Sequence, residues 1–257
     1  MNGSVCYCGG KTEMRCFYLP EPKLCSGTVI GLPKELKKHL QTVLRLKPGD
    51  EFQLFNGNGQ LARSILKEHS EVELLDVKKY PPPVCPLTLI QGLPKGDKLE
   101  LILQKGTELG VNQFYLAAME RSVGILKSDR KQKRLERWQK IVQEAARQSR
   151  QYHLPQLVAE MSLPQVLSTV KADLKLLLWE DSTTPLRDIL PQQLPQQIAV
   201  VVGPEGGVSQ QEAEQIMDQG YQAVRLGPRI LRTETAGLAI MTILQYVYGD
   251  LASGQHG

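Results

Sequence analysis

The chain has 257 residues, of which 41% are hydrophobic and 23% charged, and a formal net charge of +4. That length can bury one large core or two modest ones, and no apolar run is long enough to span a bilayer or begins as a signal sequence would. Cys6, Cys8, Cys16, Cys25 and Cys85 are an odd set with no disulfide framework or standard zinc spacing, so reduced thiols, a cytosolic setting and no metal are expected.

Residues 1–13 are glycine-rich, polar and aperiodic, and are expected to form a flexible extension. Residues 14–80 read as a small β-rich domain. Glu51–Phe55, Gln60–Leu66 and Glu71–Val77 alternate in part, as half-buried strands do, and Asn56-Gly57-Asn58-Gly59 supplies a hairpin turn between the first two. Gly57-x-Gly59-x-x-Ala62 matches a loosened dinucleotide fingerprint, but strand rather than helix follows it, so the match is rejected. Pro33 to Leu46 predicts the one helix of this domain. Its Lys34, Lys37, Lys38, His39 and Arg45 make either a phosphate-facing surface or an ordinary solvated face.

Pro81-Pro82-Pro83 favours an extended connector and marks the domain boundary. Residues 84–251 then alternate strand and helix: strand Leu87–Gln91, helix Lys95–Leu109, strand Gln113–Ala118, a long helix from Ser128 to about Tyr152, strand Leu174–Trp179 and a short helix. Such alternation predicts a parallel α/β sheet. The long helix concentrates charge. From Lys127 to Arg150 there are nine basic and three acidic residues, a net of +6, which leaves +4 − 6 = −2 for the rest of the chain. Leu135, Trp138, Val142 and Ala145 share one helical face, opposite Lys133, Arg137, Lys140 and Arg147. A basic face of this kind suits a phosphate backbone, and it also suits water.

Two loops follow. Strand Ile198–Val202 runs into Gly203-Pro204-Glu205-Gly206-Gly207, and Ser209 with Glu212 forms a capping box for the next helix. Strand Ala223–Leu226 then meets Gly227-Pro228-Arg229-Ile230-Leu231-Arg232-Thr233-Glu234-Thr235 before an apolar helix, Thr235–Tyr248. That helix has almost no polar face, so it is expected to be buried on most sides, within the layers or against another subunit. Glycines leave backbone groups uncovered, and loops at the carboxyl ends of parallel strands are where such sheets bind ligands. No lysine follows the glycines as a P-loop requires, and Glu205 opposes a polyphosphate. An uncharged nucleoside or a cationic group fits better, against the alternative that the glycines serve only a tight turn.

GPEGG with Glu212 and LGPRILRTETA resemble the second and third motifs of the RsmE family, the 16S ribosomal RNA uridine-N3 methyltransferases of the SPOUT superfamily. Gln104-Lys105-Gly106-Thr107-Glu108-Leu109-Gly110-Val111, Glu120-Arg121-Ser122 and the segment Trp138 to Pro155 extend the match, which spans Met14 to about Leu251. The resemblance implies a knotted SPOUT methyltransferase domain behind a PUA-like β-barrel, a homodimer, and 16S rRNA or the 30S subunit as partner. It implies S-adenosyl-L-methionine held by Gly203, Pro204, Glu205, Gly206, Gly207, Leu226, Gly227, Ile230, Leu231 and Thr235. A side chain at Gly206 is then expected to intrude on the cofactor. RNA contacts are expected at Arg15, Arg45, Lys133, Arg137 and Lys140.

Uridine N3 is protonated at neutral pH, so its methylation needs a base, or a cation for the charge spreading onto O2 and O4. Glu234 and Arg232 are the candidates for these roles, with Arg229 as the alternative cation. Arg232 follows an apolar stretch and is expected to be buried, meeting negative charge only as the reaction develops it. Glu234 near a helix N-terminus also has a structural reading, as a partner of the helix dipole. Two other functions stay open: ribose 2′-O methylation, for which an asparagine-bearing third motif is expected instead, and non-catalytic binding of ribosomal RNA.

Overall fold

The computed structural model describes residues 14–122 and 128–252, so the expectation for residues 1–13 lies outside the described residues. The chain divides into two compact units between Lys79 and Tyr80.

The first unit contains strand β1 (Cys16–Tyr18), strand β2 (Val29–Gly31), helix α1 (Lys34–Lys38), and strands β3 (Glu51–Phe55), β4 (Gln60–Leu66) and β5 (Glu71–Lys79). They form a five-stranded sheet in the order β1-β3-β4-β5-β2, with β1 parallel to β3 and the remaining pairs antiparallel. The β3–β4 turn is fixed by Asn56, whose Oδ1 accepts the N–H groups of Asn58 and Gln60 at 2.9 and 3.1 Å. Phe52, Leu54, Leu66, Val72 and Leu74 fill the core.

The single helix expected over Pro33–Leu46 is instead a five-residue α-helix followed by a π-helical turn, His39–Val43. Leu44 N–H reaches back to His39 O at 3.0 Å, and Arg45 ends the segment at φ 54. The wider turn brings Leu40, Leu44 and Leu46 onto the same core. A regular α-helix would keep Leu44 on the face of Leu40 but carry Leu46, six residues on, away from it.

The second unit holds strand β6 (Leu87–Gly92), helix α2 (Lys98–Glu108), strand β7 (Gln113–Ala118), helix α3 (Ser128–Ser149), strand β8 (Gln156–Ser162), helix α4 (Leu163–Thr169), strand β9 (Leu174–Leu178), strand β10 (Ile198–Val202), helix α5 (Gln210–Asp218), strand β11 (Gln222–Val224) and helix α6 (Thr233–Tyr248). Its six strands are all parallel, in the order β11-β9-β10-β6-β7-β8. Every residue of β6 and of β10 is buried, as a parallel strand covered on both faces requires. One core joins the sheet to residues of α2, α3 and α6, and a second joins it to residues of α4 and α5.

Trp138, Val142 and Ala145 are buried and Leu135 is half-buried, as the face of α3 predicted. Sequence periodicity did not reveal β8 or α4. Strand β8 is the sheet edge, where polar residues interrupt the apolar run, and α4 begins directly at Ser162, whose backbone N–H donates to Gln165 Oε1 at 3.0 Å. The short helix expected after Trp179 is one 3₁₀ turn, Leu186–Asp188.

Helix α6 inserts Ile240, Met241 and Leu244 into the core. Its other side leaves Ile243, Tyr246 and Val247 exposed by 38, 65 and 48%. No helix of the described residues is long and apolar enough to cross a membrane.

Candidate active site

The chain enters the site from β6 and β10, which pair in parallel and end side by side. Their junction leaves no room for side chains. A Cβ on Gly92 would lie 2.6 Å from Pro204 Cδ, and one on Gly203 would lie 2.8 Å from Val208 Cγ2. Gly207 adopts φ 73 and donates its N–H to Pro204 O at 2.9 Å, closing the loop. Its conformation favours glycine because a Cβ in the left-handed region crowds the backbone.

The predicted capping box then starts α5. Glu212 N–H donates to Ser209 Oγ, and Ser209 N–H donates to Glu212 Oε2, each at 3.3 Å. The other oxygen of Glu212 accepts Glu120 N–H at 2.7 Å, so the same acid anchors the Glu120-Arg121-Ser122 loop. From that loop Arg121 Nη1 donates to Gly206 O at 2.8 Å.

The second loop leaves β11 and returns into α6 at Arg232, whose carbonyl accepts Ala236 N–H at 2.8 Å. Gly227 turns it at φ 80. The two loops are fastened at their bases by buried groups. Thr233 Oγ1 donates to Gly203 O at 2.6 Å and accepts from Gln91 Nε2 at 2.9 Å. Gln91 Nε2 also faces the carbonyls of Gly92 and Gly203 at 2.9 and 3.3 Å. One amide and one hydroxyl thus hold β6, the first loop and the head of α6 in fixed relation.

Between the loops lies a cavity of about 460 Å³. Of the residues expected to hold a cofactor, Gly203, Pro204, Glu205, Gly207, Leu226, Gly227, Ile230 and Leu231 line it, together with Arg229 and Arg232. Gly206 and Thr235 are not among its lining residues. A Cβ on Gly206 would meet Arg121 Cβ at 2.9 Å, so a side chain there strikes the neighbouring loop and not the cavity. Thr235 is exposed on α6. Arg232 is also exposed, which removes the expectation of a buried guanidinium: as the N-cap it sits at the rim, where solvent reaches it.

The wall carries charges that sequence motifs did not assign. Lys98, at the start of α2, places Nζ 3.0 Å from Glu205 Oε1 and 3.7 Å from Glu234 Oε2. Glu205 also accepts Lys95 N–H at 3.0 and 3.2 Å. Burial alone would raise the Glu205 pKa. Hydrogen bonds from its own backbone, from Lys98 and from Lys95, with the Lys98 charge, outweigh burial and hold it below its ordinary value.

Glu234 does not line the cavity; it packs behind Lys98, its side chain 14% exposed, and its Oε2 accepts no hydrogen bond. Trp179, Glu180 and Arg225 complete the wall from the ends of β9 and β11. Their position after parallel strands was the available signal, since loops there face ligands. Lys98 had no such mark, because only packing brings α2 against α6.

The residues expected to contact RNA are on the surface. Lys133, Arg137 and Lys140 are exposed along α3, but Arg137 Nη2 pairs with Glu100 Oε2 of α2 at 2.6 Å. Arg15 and Arg45 are exposed in the first unit.

Comparison with known proteins gives the same reading along the chain. A family model described as an RNA methyltransferase domain matches residues 81–245, and one described as an RNA methyltransferase PUA domain matches residues 32–76. The ribosomal RNA small subunit methyltransferase E of Mycobacterium bovis is 35% identical over 207 residues, covering 77% of this chain and 79% of its own. That of Bacillus subtilis is 33% identical over 228 residues, covering 81% and 86%. A crystal structure of the Neisseria gonorrhoeae ribosomal RNA small subunit methyltransferase E, bound to S-adenosyl methionine, superposes with a TM-score of 0.82 at 36% identity, covering 93% of this chain and 100% of that one. With both domains matched in order and the relatives covered over most of their length, the chain belongs to the ribosomal RNA small subunit methyltransferase E family.

Proposed function

We propose that this protein transfers a methyl group from S-adenosyl-L-methionine to N3 of a uridine in the decoding region of 16S ribosomal RNA. The observation that carries the reading is the cavity between two glycine loops at the carboxyl ends of β10 and β11, within an RNA methyltransferase domain. Residues 84–251 would be the catalytic domain and 14–80 the RNA-holding one.

The lining fits the cofactor by its chemistry. Leu226 and Leu231 with uncovered backbone suit a neutral purine, and the carboxylates of Glu180 and Glu205 suit a cation. The same two carboxylates oppose a polyphosphate. When bound, S-adenosyl-L-methionine supplies an electrophilic methyl on a sulfonium. The chain must orient the uridine, accept its N3 proton and stabilise the charge left on the ring. Glu234 would be the acceptor of the N3 proton, and since it does not itself line the cavity, Lys98 of the wall would have to give the substrate access to it. Arg232, at the rim, donates to the oxygens where negative charge grows; its exposure before substrate arrives leaves it free to do so.

The protein would work in the cytoplasm as a homodimer on ribosomal RNA or the 30S subunit. The apolar stripe of Ile243, Tyr246 and Val247 on α6 supports the dimer, since an exposed row of large apolar groups gains by covering. Lys133, Lys140, Arg15 and Arg45 would face phosphates.

The test is single-turnover methylation with Arg232→Ala and Arg232→Lys, alongside cofactor titrations, on 30S subunits from a strain lacking the enzyme. Turnover should fall at least ten-fold in Arg232→Ala while cofactor affinity stays within a few-fold. Lysine should recover only part, because a point charge cannot reproduce paired guanidinium bonds. Equal loss of affinity and turnover would make Arg232 a cofactor clamp. A deletion strain that keeps every N3-methyluridine of its 16S RNA would overturn the substrate.

A further inference from the structure

The Glu120-Arg121-Ser122 turn takes no part in the chemistry proposed above, yet it lies directly on the first glycine loop. The turn is fastened at several points. Ser122 N–H donates to Met119 O at 3.0 Å, and Met119 N–H donates to Ser122 Oγ at 3.2 Å. Met119 and Ser122 are buried, and Glu212 of α5 accepts Glu120 N–H at 2.7 Å. From this fixed base the exposed Arg121 covers the loop along its length. A Cβ on Gly206 would lie 2.9, 3.6 and 3.4 Å from Arg121 Cβ, Cγ and Cδ, so the aliphatic stem runs along Gly206. At its end Nη1 donates to Gly206 O at 2.8 Å. The Gly206–Gly207 peptide is thereby held on both sides. Its N–H donates to Pro204 O at 2.9 Å, and its C=O, pointing the opposite way, accepts from the guanidinium. A trans peptide is planar, so fixing both groups fixes the rotation of the plane. Without the arginine, two adjacent glycines would leave that rotation loose, because neither has a Cβ to restrict it. The residues on either side, Glu205 and Gly207, line the cavity, and Gly206 does not.

We infer that Arg121 is a positioning residue for the cofactor: from outside the cavity it locks the Gly206–Gly207 peptide and so holds Glu205 and Gly207 in place against the ligand. This rests on the reading of the cavity as the S-adenosyl-L-methionine site. A loop held in its binding conformation before the ligand arrives loses less freedom on binding, and affinity gains by that amount. An exposed arginine on an RNA enzyme also suits a phosphate. A phosphate contact, however, leaves cofactor affinity indifferent to its removal, which separates the two roles.

The experiment titrates the full chain calorimetrically, without RNA, with S-adenosyl-L-methionine and with its neutral demethylated product, S-adenosylhomocysteine. Arg121→Met and Arg121→Lys are compared with the parent, and thermal unfolding checks that each folds. Methionine keeps much of the stem and removes the donor. Affinity for both ligands should fall about ten-fold in Arg121→Met, as loss of a charged hydrogen bond at the weak end of its range implies. Lysine should recover most of it, because one bond to a carbonyl needs a donor of that reach and not a fork. In single-turnover methylation of 30S subunits from a strain lacking the enzyme, the loss should appear in the cofactor concentration giving half the maximal rate. The rate at saturating cofactor should change less than about three-fold. Unchanged affinity for both ligands in Arg121→Met overturns the inference, and a fall in RNA affinity alone makes Arg121 a phosphate contact. Tighter binding of the cationic ligand with the neutral one unmoved also overturns it, since that is the Coulomb effect of removing a positive charge. A loss that lysine does not recover overturns it as well, and reduces Arg121 to a support of the fold. A parent protein that binds neither ligand sinks the cofactor reading itself, and the inference falls with it.

Discussion

Thr233→Val removes one hydroxyl from the base of the site and almost nothing else. Valine keeps the shape and β-branching of threonine, so no cavity opens and the first turn of α6 keeps its preferred geometry. Two hydrogen bonds disappear, the donation to Gly203 O at 2.6 Å and the acceptance from Gln91 Nε2 at 2.9 Å. Each contributes about 1 kcal/mol net, so the direct loss is about 2 kcal/mol. Gln91 Nε2 still faces the carbonyls of Gly92 and Gly203, so no buried donor is orphaned and the loss does not grow much beyond this. For a protein of this size that amounts to a fall in melting temperature of about 4–8 °C. The same bonds fix the first loop against α6, so cofactor affinity should fall about ten-fold while Thr233→Ser stays near the parent in both measurements. Differential scanning fluorimetry and calorimetric titration of S-adenosyl-L-methionine provide the readouts. A Thr233→Val protein that melts within 1 °C of the parent and binds the cofactor equally well would refute the claim that this hydroxyl holds the loops together, whatever else the site does (the 1 °C threshold being roughly the shift for a few tenths of a kcal/mol).

Gly207→Ala forces a Cβ into φ 73 and within 3.0 Å of Glu180 Oε1, so it should cost about 1–2 kcal/mol and weaken cofactor binding in the same titration. Gly206→Ala should act differently, displacing Arg121 and its bond to Gly206 O, so that trypsin nicks the chain after Arg121 faster than in the parent. Glu205 has a depressed folded pKa, so its charged form stabilises the fold above the unfolded value of about 4.3, and that contribution is lost as pH falls through the folded value. Melting curves of the parent and Glu205→Gln should therefore be separated at neutral pH and converge in acid. Replacing Lys133, Arg137 and Lys140 with glutamine should lower RNA affinity and flatten its salt dependence, because fewer counterions are released, with Arg137 contributing less through its pairing with Glu100. An unchanged slope returns this face of α3 to plain solvation.

Much of the fold was legible in the sequence because burial patterns are local. Strands β3, β4, β7 and β10 fall on the predicted runs, and the Ser209–Glu212 cap forms as read, since each depends on residues within a few positions. Elements with weak local signals were missed: β8 lies at the sheet edge, and the π turn at His39–Val43 answers to the core it must reach. The two glycine loops were recognisable too, and most of their residues line the cavity. Which way each residue points was not. Gly206 faces Arg121, Thr235 faces solvent, and Arg232 sits exposed at the rim, because direction is set by the loop's path between neighbours. The Gln91–Thr233–Gly203 contact joins residues 142 and 30 positions apart, and Lys98 meets Glu205 and Glu234 across the packing of α2 against α6. By itself the sequence determined the alternation of elements, the loop chemistry and the family, all written in neighbouring residues. Only the tertiary structure decided which charges share a partner, because Coulomb energy depends on distance in space, and distance along the chain does not reveal it.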